Sequence, residues 1–384
     1  MTRKRQLALI RKLCGLGVPA PTLAPSLLPA LRTLIASHSA AVFWVDQRFE
    51  MTGLYAERLL PPAAMAVYYK KHYRDAATGF PAQFRARAEA SDPVSAHKIS
   101  KADQSSDYFR EVLSRLDAHQ ILYGVLRDRS RPIGQISFYR GARDPEFGRR
   151  DQETLRGLLR YLSQGLRIQA AQARELPQTE VVEEWLGIVA EDGTALSAPV
   201  DWSRLVRLLA MENVAPRTAH DEQRVVTDFL RAICAGLGNG GGAQLQQVDS
   251  RRDSPWGRFR IRAYRLPDVD RAQDRVGILI GRQEPRALAL ARATGASGLS
   301  PQQREVALLL AEGKSNREIA RALALRLNTA SYHVKQVFTR LGVHHRDQVE
   351  RVLLQLAHDG AADRDPAAPP RAPSEANAER PGSE

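Results

Sequence analysis

Cysteine is almost absent from this chain: Cys14 and Cys234 are the only two, far apart in sequence. That excludes a disulfide-built secreted scaffold and a multi-cysteine zinc site, and it fits a reducing cytoplasm. Long apolar runs are missing as well, and none approaches the ~18 residues of a membrane span. Arg3, Lys4 and Arg5 precede an apolar stretch, as in a signal peptide. Arg11 and Lys12 interrupt it, and Leu7, Ile10, Leu13 and Cys14 recur at helical spacing. A short basic amphipathic helix is expected there. Residues 1–290 hold no GxSxG, HExxH or CxxC. No GxxxxGKS or GxxxxGKT phosphate loop occurs, and the stretch 238–242 has the glycines without the lysine. The nine histidines show no metal-ligand spacing, and no cofactor is indicated.

Acids fall short of bases, 43 Asp and Glu against 56 Lys and Arg, for a net charge of +13. That excess points to an acidic macromolecular partner, nucleic acid first and an anionic membrane surface second. Residues 359–384 run the other way, with six acidic and three basic residues, five prolines and no large apolar side chain. Such a segment cannot bury a core and is expected to be a disordered tail.

The rest of the 384 residues divides into three folded segments. Residues 1–175 read as α+β. Leu27, Leu28, Leu31, Leu34 and Ile35 form a helical stripe, and Ala40–Val45 is a buried strand. Gln120–Leu126 and Ile133–Tyr139 are strands joined by a turn over 127–132. A long helix follows from Asp151, with Leu155, Leu158, Leu159, Leu162 and Leu166 on one face, and 169–176 reads as a connector. Residues 180–290 repeat this α+β logic without a sequence period. Trp185–Val189 and Thr194–Leu196 flank the turn pair Asp192-Gly193, Asp201 is placed to cap a helix, and a second helix spans about 221–237. Arg258–Ala263 alternates charged and apolar residues, and Val276–Ile280 is a buried partner strand.

Residues 297–358 read as four short helices with sharp start and stop signals. Ser300 with Gln303, and Ser315 with Glu318, form capping boxes, and Pro301 takes the favoured first helical position. Gly313 and Gly342 are helix stops. Ile319, Ala320 and Leu323 face inward on the second helix, and Ala330, Val334, Val337, Phe338 and Leu341 on the third, about 328–341. Two helices around a turn of a few residues make a helix-turn-helix, in which the second helix enters the DNA major groove. Its outward face, Ser331, Tyr332, Lys335, Gln336 and Thr339, offers hydrogen-bonding or cationic groups and no acid, as base reading against a polyanion requires. Arg317, Arg321, Arg326 and Arg340 flank it within reach of phosphates.

These residues carry a resemblance. The run from Leu299-Ser300-Pro301 through Arg304-Glu305-Val306, Ser315-Asn316-Arg317-Glu318-Ile319-Ala320, Asn328-Thr329, His333-Val334-Lys335 and Leu341-Gly342-Val343 to Arg346 is similar to the LuxR-type (GerE-like) helix-turn-helix of bacterial transcription factors. The resemblance implies base contacts from Ser331, Tyr332 and Lys335. It implies phosphate contacts from Lys314, Asn316, Asn328 and Thr329, and dimerisation through the fourth helix. Two positions depart from the pattern. Ala324 stands in the turn where many relatives carry Gly, and would cost about 1 kcal/mol at positive φ. Arg326 stands where many carry a capping Ser or Thr, so the recognition helix is expected to start later, on Asn328.

The first segment resembles a GAF domain, through strand Ala40–Val45, the hairpin ending Gly134-Gln135-Ile136-Ser137-Phe138-Tyr139-Arg140, and Asp144-Pro145-Glu146-Phe147 followed by Asp151. The 180–290 segment resembles a PAS-type fold. Both resemblances imply sensing of a small-molecule or protein signal, with Trp44, Tyr55, Tyr68, Tyr69 and Tyr123 as candidate pocket residues. The expected chain is thus a multidomain α+β sensor region, GAF-like then PAS-like, followed by an all-α four-helix DNA reader. The expected function is a cytoplasmic, non-enzymatic transcriptional regulator. It would bind double-stranded DNA as a homodimer on an inverted repeat, and RNA polymerase if it activates. The alternative is an enzyme with an appended DNA-binding module. A sigma-factor-like polymerase subunit is disfavoured by the strands of the first segment.

Overall fold

Strands rich in β-branched and aromatic residues build the centres of two antiparallel sheets, and apolar-striped segments build helices that cover them. The computed structural model describes residues 3–75, 79–167, 183–211, 221–237, 247–266 and 275–362. Helices α1 (Arg3–Cys14) and α2 (Ala20–Arg32) lead into strands β1 (Ser39–Val45) and β2 (Met51–Ala56). Helices α3 (Pro62–Val67) and α4 (Phe80–Glu89) precede β3 (Val94–Lys98), β4 (Gln120–Asp128), β5 (Arg131–Arg140) and the long α5 (Arg149–Gly165). The first sheet has the order β2-β1-β5-β4-β3. Its β4–β5 hairpin is tighter than the expected turn over 127–132. Pairing continues to Asp128↔Arg131, and Arg129 closes the turn at φ 56°.

The second region holds β6 (Glu183–Ala190), β7 (Ala195–Ser197), α6 (Val200–Ala210), α7 (Glu222–Ala235), β8 (Gln247–Ser254), β9 (Gly257–Leu266) and β10 (Arg275–Gln283). Its sheet order is β7-β6-β10-β9-β8, the same permutation as the first. Gly193 takes positive φ in the β6–β7 turn, where Asp192 Oδ1 accepts the Thr194 N–H at 2.8 Å. Asp201 does not cap α6. Pro199 is the N-cap residue, and Asp201 lies inside the first turn, paired with Arg204 at 3.2 Å. A proline-fixed extended residue satisfies the entry geometry two residues earlier.

The two sheets share one continuous apolar core. Trp256 packs on Trp44 and Tyr55 of the first region, with ring centroids 6.1 and 6.0 Å apart. Arg282 donates to the carbonyls of Thr22 and Trp256 at 3.0 and 2.9 Å.

Sequence patterning did not point to the next element, α8 (Arg286–Ala296). It is buried on opposite sides. Leu288 and Ala291 join the core of the sheets, while Ala289, Leu290 and Ala293 join that of the C-terminal helices. Those helices are α9 (Pro301–Ala311), α10 (Asn316–Ala322), α11 (Leu327–Leu341) and α12 (Arg346–Ala362). Lys12 on α1 meets Glu305 on α9 at 2.9 Å, and Arg286 on α8 pairs with Glu350 on α12. The expected tail starts late, because α12 includes 359–362. The remainder of the tail, the 169–176 connector and the 238–242 glycines lie outside the described residues.

Candidate functional site

Local hydrogen bonds fix the helix starts of the C-terminal bundle. The backbone N–H of Ser300 donates to Gln303 Oε1 at 2.9 Å, and that of Gln303 to Ser300 Oγ at 3.3 Å. Ser315 and Glu318 reciprocate in the same way at 2.7 and 3.3 Å. The Ser315 amide holds the Glu318 carboxyl below its ordinary pKa, so the box persists at neutral pH. Gly313 and Gly342 sit at φ 79° and 65°. The turn from α10 to α11 is a Schellman motif: Leu325 N–H donates to Ala320 O at 2.8 Å, and Ala324 N–H to Arg321 O at 3.3 Å. Ala324 occupies its left-handed position at φ 51°, so the turn keeps the geometry that glycine would favour.

Helix α11 begins on Leu327, one residue before the expected Asn328. Arg326 is its N-cap residue through an extended backbone (φ −70°, ψ 148°) with no side-chain cap bond. Backbone geometry alone starts the helix, and the arginine side chain remains exposed. Ala330, Val334 and Val337 face Ile319, Ala320, Val306 and Leu310 in the buried seam. The opposite face is open. Asn328, Thr329, Tyr332, Lys335, Thr339 and Arg340 are exposed, Tyr332 to 59% of its surface, and Ser331 is half-buried. No acid stands on this helix.

The candidate contacts are not equivalent. Asn316 is engaged at both ends, donating to Ser331 Oγ at 3.2 Å and accepting from Arg346 Nη2 at 3.1 Å. Arg346 also donates to the Lys314 carbonyl. Asn316 and Arg346 therefore lock α10 to α11 and α12, and Ser331 is held from behind. Thr339 bonds back to the Lys335 carbonyl at 3.0 Å. Tyr332, Lys335 and the exposed Arg317, Arg326, Asn328 and Thr329 keep polar groups directed to solvent.

Residues 297–353 match the family model of the bacterial regulatory proteins of the luxR family. The C-terminal segment is a LuxR-type helix-turn-helix domain. Over 55 residues the chain is 42% identical to YhjB of Escherichia coli (strain K12), which is named as an HTH-type transcriptional regulator. That match covers 14% of this chain and 28% of the length of YhjB. Among solved structures, the VqmA dimer of Vibrio cholerae without its target DNA is 16% identical, at a TM-score of 0.16, over 45% of this chain and 83% of that one. The bacteriophytochrome RpBphP3 of R. palustris is 10% identical, at a TM-score of 0.28, over 73% of this chain and 62% of that one. At such scores neither likeness bears on this chain.

The LuxR-type domain lies far in sequence from a cavity of about 770 Å³ on one face of the first sheet. Tyr68, Tyr69 and Tyr123 line it, with Tyr108 and Tyr139, and Gln135 and Ser137 form part of its floor. Trp44 and Tyr55 do not line it, which corrects the expectation for these two. Side chains alternate along a strand, so Phe43 and Leu54 face the cavity and Trp44 and Tyr55 the opposite side. There Trp44 Nε1 donates to Leu166 O at 2.8 Å and Tyr55 receives Arg204 Nη1 at 3.3 Å. Burial holds the Tyr68, Tyr108 and Tyr139 phenols above their ordinary pKa, so they stay protonated.

The arginines of β9 are not a second basic surface. Arg258, Arg260 and Arg262 pair with Asp253, Asp249 and Glu184 at 2.8, 2.6 and 2.7 Å. Among the described residues no cluster of three His, Cys, Asp or Glu is arranged to hold a metal, and no helix is long and apolar enough to cross a membrane.

Proposed function

We propose that the chain is a sequence-specific DNA-binding transcriptional regulator, with α11 lying in the major groove and a sensor region upstream. The observation that carries this reading is the open, acid-free face of α11 on a capped helix-turn-helix scaffold. Ser331 and Tyr332 in the N-terminal half of that helix, with Lys335 about one turn further on, serve as the base readers. Lys314, Arg317, Arg326, Asn328, Thr329 and Arg340 supply phosphate contacts, together with the first-turn amides of α11. Asn316 contributes chiefly by positioning Ser331.

The protein acts as a homodimer on an inverted repeat, with two recognition helices about 34 Å apart, one turn of DNA. RNA polymerase is its further partner if it activates. The first region is read as GAF-like and the second as PAS-like, and the cavity of the first sheet is the seat of the signal. The absence of catalytic motifs supports a regulator over an enzyme.

A random-DNA selection with the full chain at fixed physiological salt tests the reading. Enrichment of one inverted repeat is the expected result. Binding that follows salt alone, with no enriched sequence, would refute sequence-specific regulation.

A further inference from the structure

Two arginines line the first-sheet cavity: Arg58 is exposed and reaches to the Leu116 carbonyl at 3.5 Å, whereas Arg87 is built into the wall. Arg87, on α4, is half-buried there and lies over the ring of Tyr123, 4.5 Å from its centroid. Its Nη1 donates to Gln135 Oε1 at 3.1 Å and its Nη2 to Gln83 Oε1 at 2.8 Å. Gln135 is 3% exposed, and its Nε2 donates to Ser137 Oγ at 2.8 Å. The guanidinium is thus oriented by a buried polar chain and a stacked ring. Both acceptors are neutral amides, and among the described residues no carboxylate forms an ion pair with it. Asp103, which lines the cavity, accepts from Ser100 at 2.7 Å, and Glu111, beside the lining residue His72, pairs with Lys71 and His72 at 2.7 and 2.8 Å. A guanidinium has five N–H donors, and two of them hold these glutamines. The remainder and the full positive charge are left for an occupant.

The rest of the wall selects the occupant's body. Phe43, Tyr68, Phe80, Tyr108 and Tyr139 surround the space with ring faces and edges. Planar rings are favoured there by offset and edge-to-face contacts, and the volume leaves ample room for a ring body with substituents. An oriented, uncompensated guanidinium prefers a carboxylate, which it engages in bidentate fashion.

We propose that this cavity binds an aromatic carboxylic acid, with its carboxylate on Arg87 and its ring among the tyrosines. The proposal rests on reading the first region as the sensor. Arg87 is the specificity-determining residue, Tyr123 and Gln135 hold it in place, and the buried phenols serve as hydrogen-bond partners for ring substituents.

The test is calorimetric titration of the full-length chain, without DNA, with benzoate, phenylacetate and indole-3-acetate, each beside its neutral primary amide. Saturable binding of at least one acid is expected, with its amide at least tenfold weaker. Arg87→Gln should lose at least tenfold for that acid and should narrow the gap between acid and amide. The acid–amide comparison on the unaltered chain stands even if the variant folds poorly. Equal binding of acid and amide, binding of none of the three acids, or full retention of affinity in a folded Arg87→Gln chain would overturn the proposal. DNA affinity measured with and without the bound acid is a separate reading. Saturable binding that leaves DNA affinity unchanged keeps the site and removes its role as the sensor.

Discussion

Replacing Ala324 with glycine should stabilise the DNA-binding domain, because Ala324 holds a left-handed turn at φ 51°. An L-residue in that region costs about 1–2 kcal/mol, which glycine avoids. Glycine gives back about 0.4–1 kcal/mol through its freer unfolded chain. Ala324 is exposed and belongs to neither apolar core, so its methyl group contributes little packing to lose. The net expectation is a gain of about 0.5–1 kcal/mol, or roughly two- to fivefold in an opening equilibrium. Native-state hydrogen exchange of the α10 and α11 amides reads this directly and separates the local gain from global unfolding. Gly342→Ala is the inverse control. Its φ is 65° and an added Cβ would meet nothing within 4 Å, so it should destabilise by a similar amount through conformation alone. Faster exchange in Ala324→Gly, or no change in Gly342→Ala, would refute the claim that left-handed strain dominates the turn.

Lys335→Ala should weaken binding to the selected repeat by about 1–3 kcal/mol and relax one base position. An unchanged sequence preference in a repeated selection would assign Lys335 to phosphate. Gly187→Ala should destabilise the second sheet by at least about 1–3 kcal/mol in urea unfolding. Its Cβ would meet the ring of the buried Trp202 at 2.3 Å, and the Trp202 Nε1–H···O=C bond to Ile278 at 2.8 Å leaves that ring little freedom to shift. Burial pushes the Cys14 thiol up to about 12 and raises that of Cys234 as well. Both should therefore label slowly with a thiol reagent at pH 8 in the native chain and promptly in urea, and fast native labelling would contradict the buried placement. Glu284→Gln should cost about 3–5 kcal/mol by leaving the buried Arg292 without its ionic partner. Glu284 also accepts the Ser26 hydroxyl at 2.9 Å, so thermal unfolding of this variant reports on the seam between α2 and α8.

The DNA-binding domain was legible because its signals are local. A capping box needs two residues three apart, and a helix stop needs one glycine at positive φ. Ser300, Gln303, Ser315, Glu318, Gly313 and Gly342 each act within one turn of helix. Helix α11 starts one residue before the side-chain pattern indicates because Arg326 meets the cap requirement with its backbone and not its side chain. Strands β2, β3 and β8 carry no strand signal in the sequence. The last reads Gln-Val-Asp-Ser-Arg-Arg-Asp-Ser, and only cross-strand pairing with β9 makes such a polar segment a strand.

Composition and spacing alone determined the basic character, the helix-turn-helix and the α+β character of the two upstream regions. Tertiary structure decided the direction of the aromatic side chains and the junction between regions. Both faces of β1 are buried, so period-two alternation gives no inside and outside, and only Trp256 packing on Trp44 shows which face is left for the cavity. Helix α8 packs on opposite sides, against the sheets and against the LuxR-type domain, and buries Arg292 and Thr294 along with its leucines and alanines. A helix with apolar residues on opposite sides has no single apolar stripe, and without one the sequence holds no periodic sign of it.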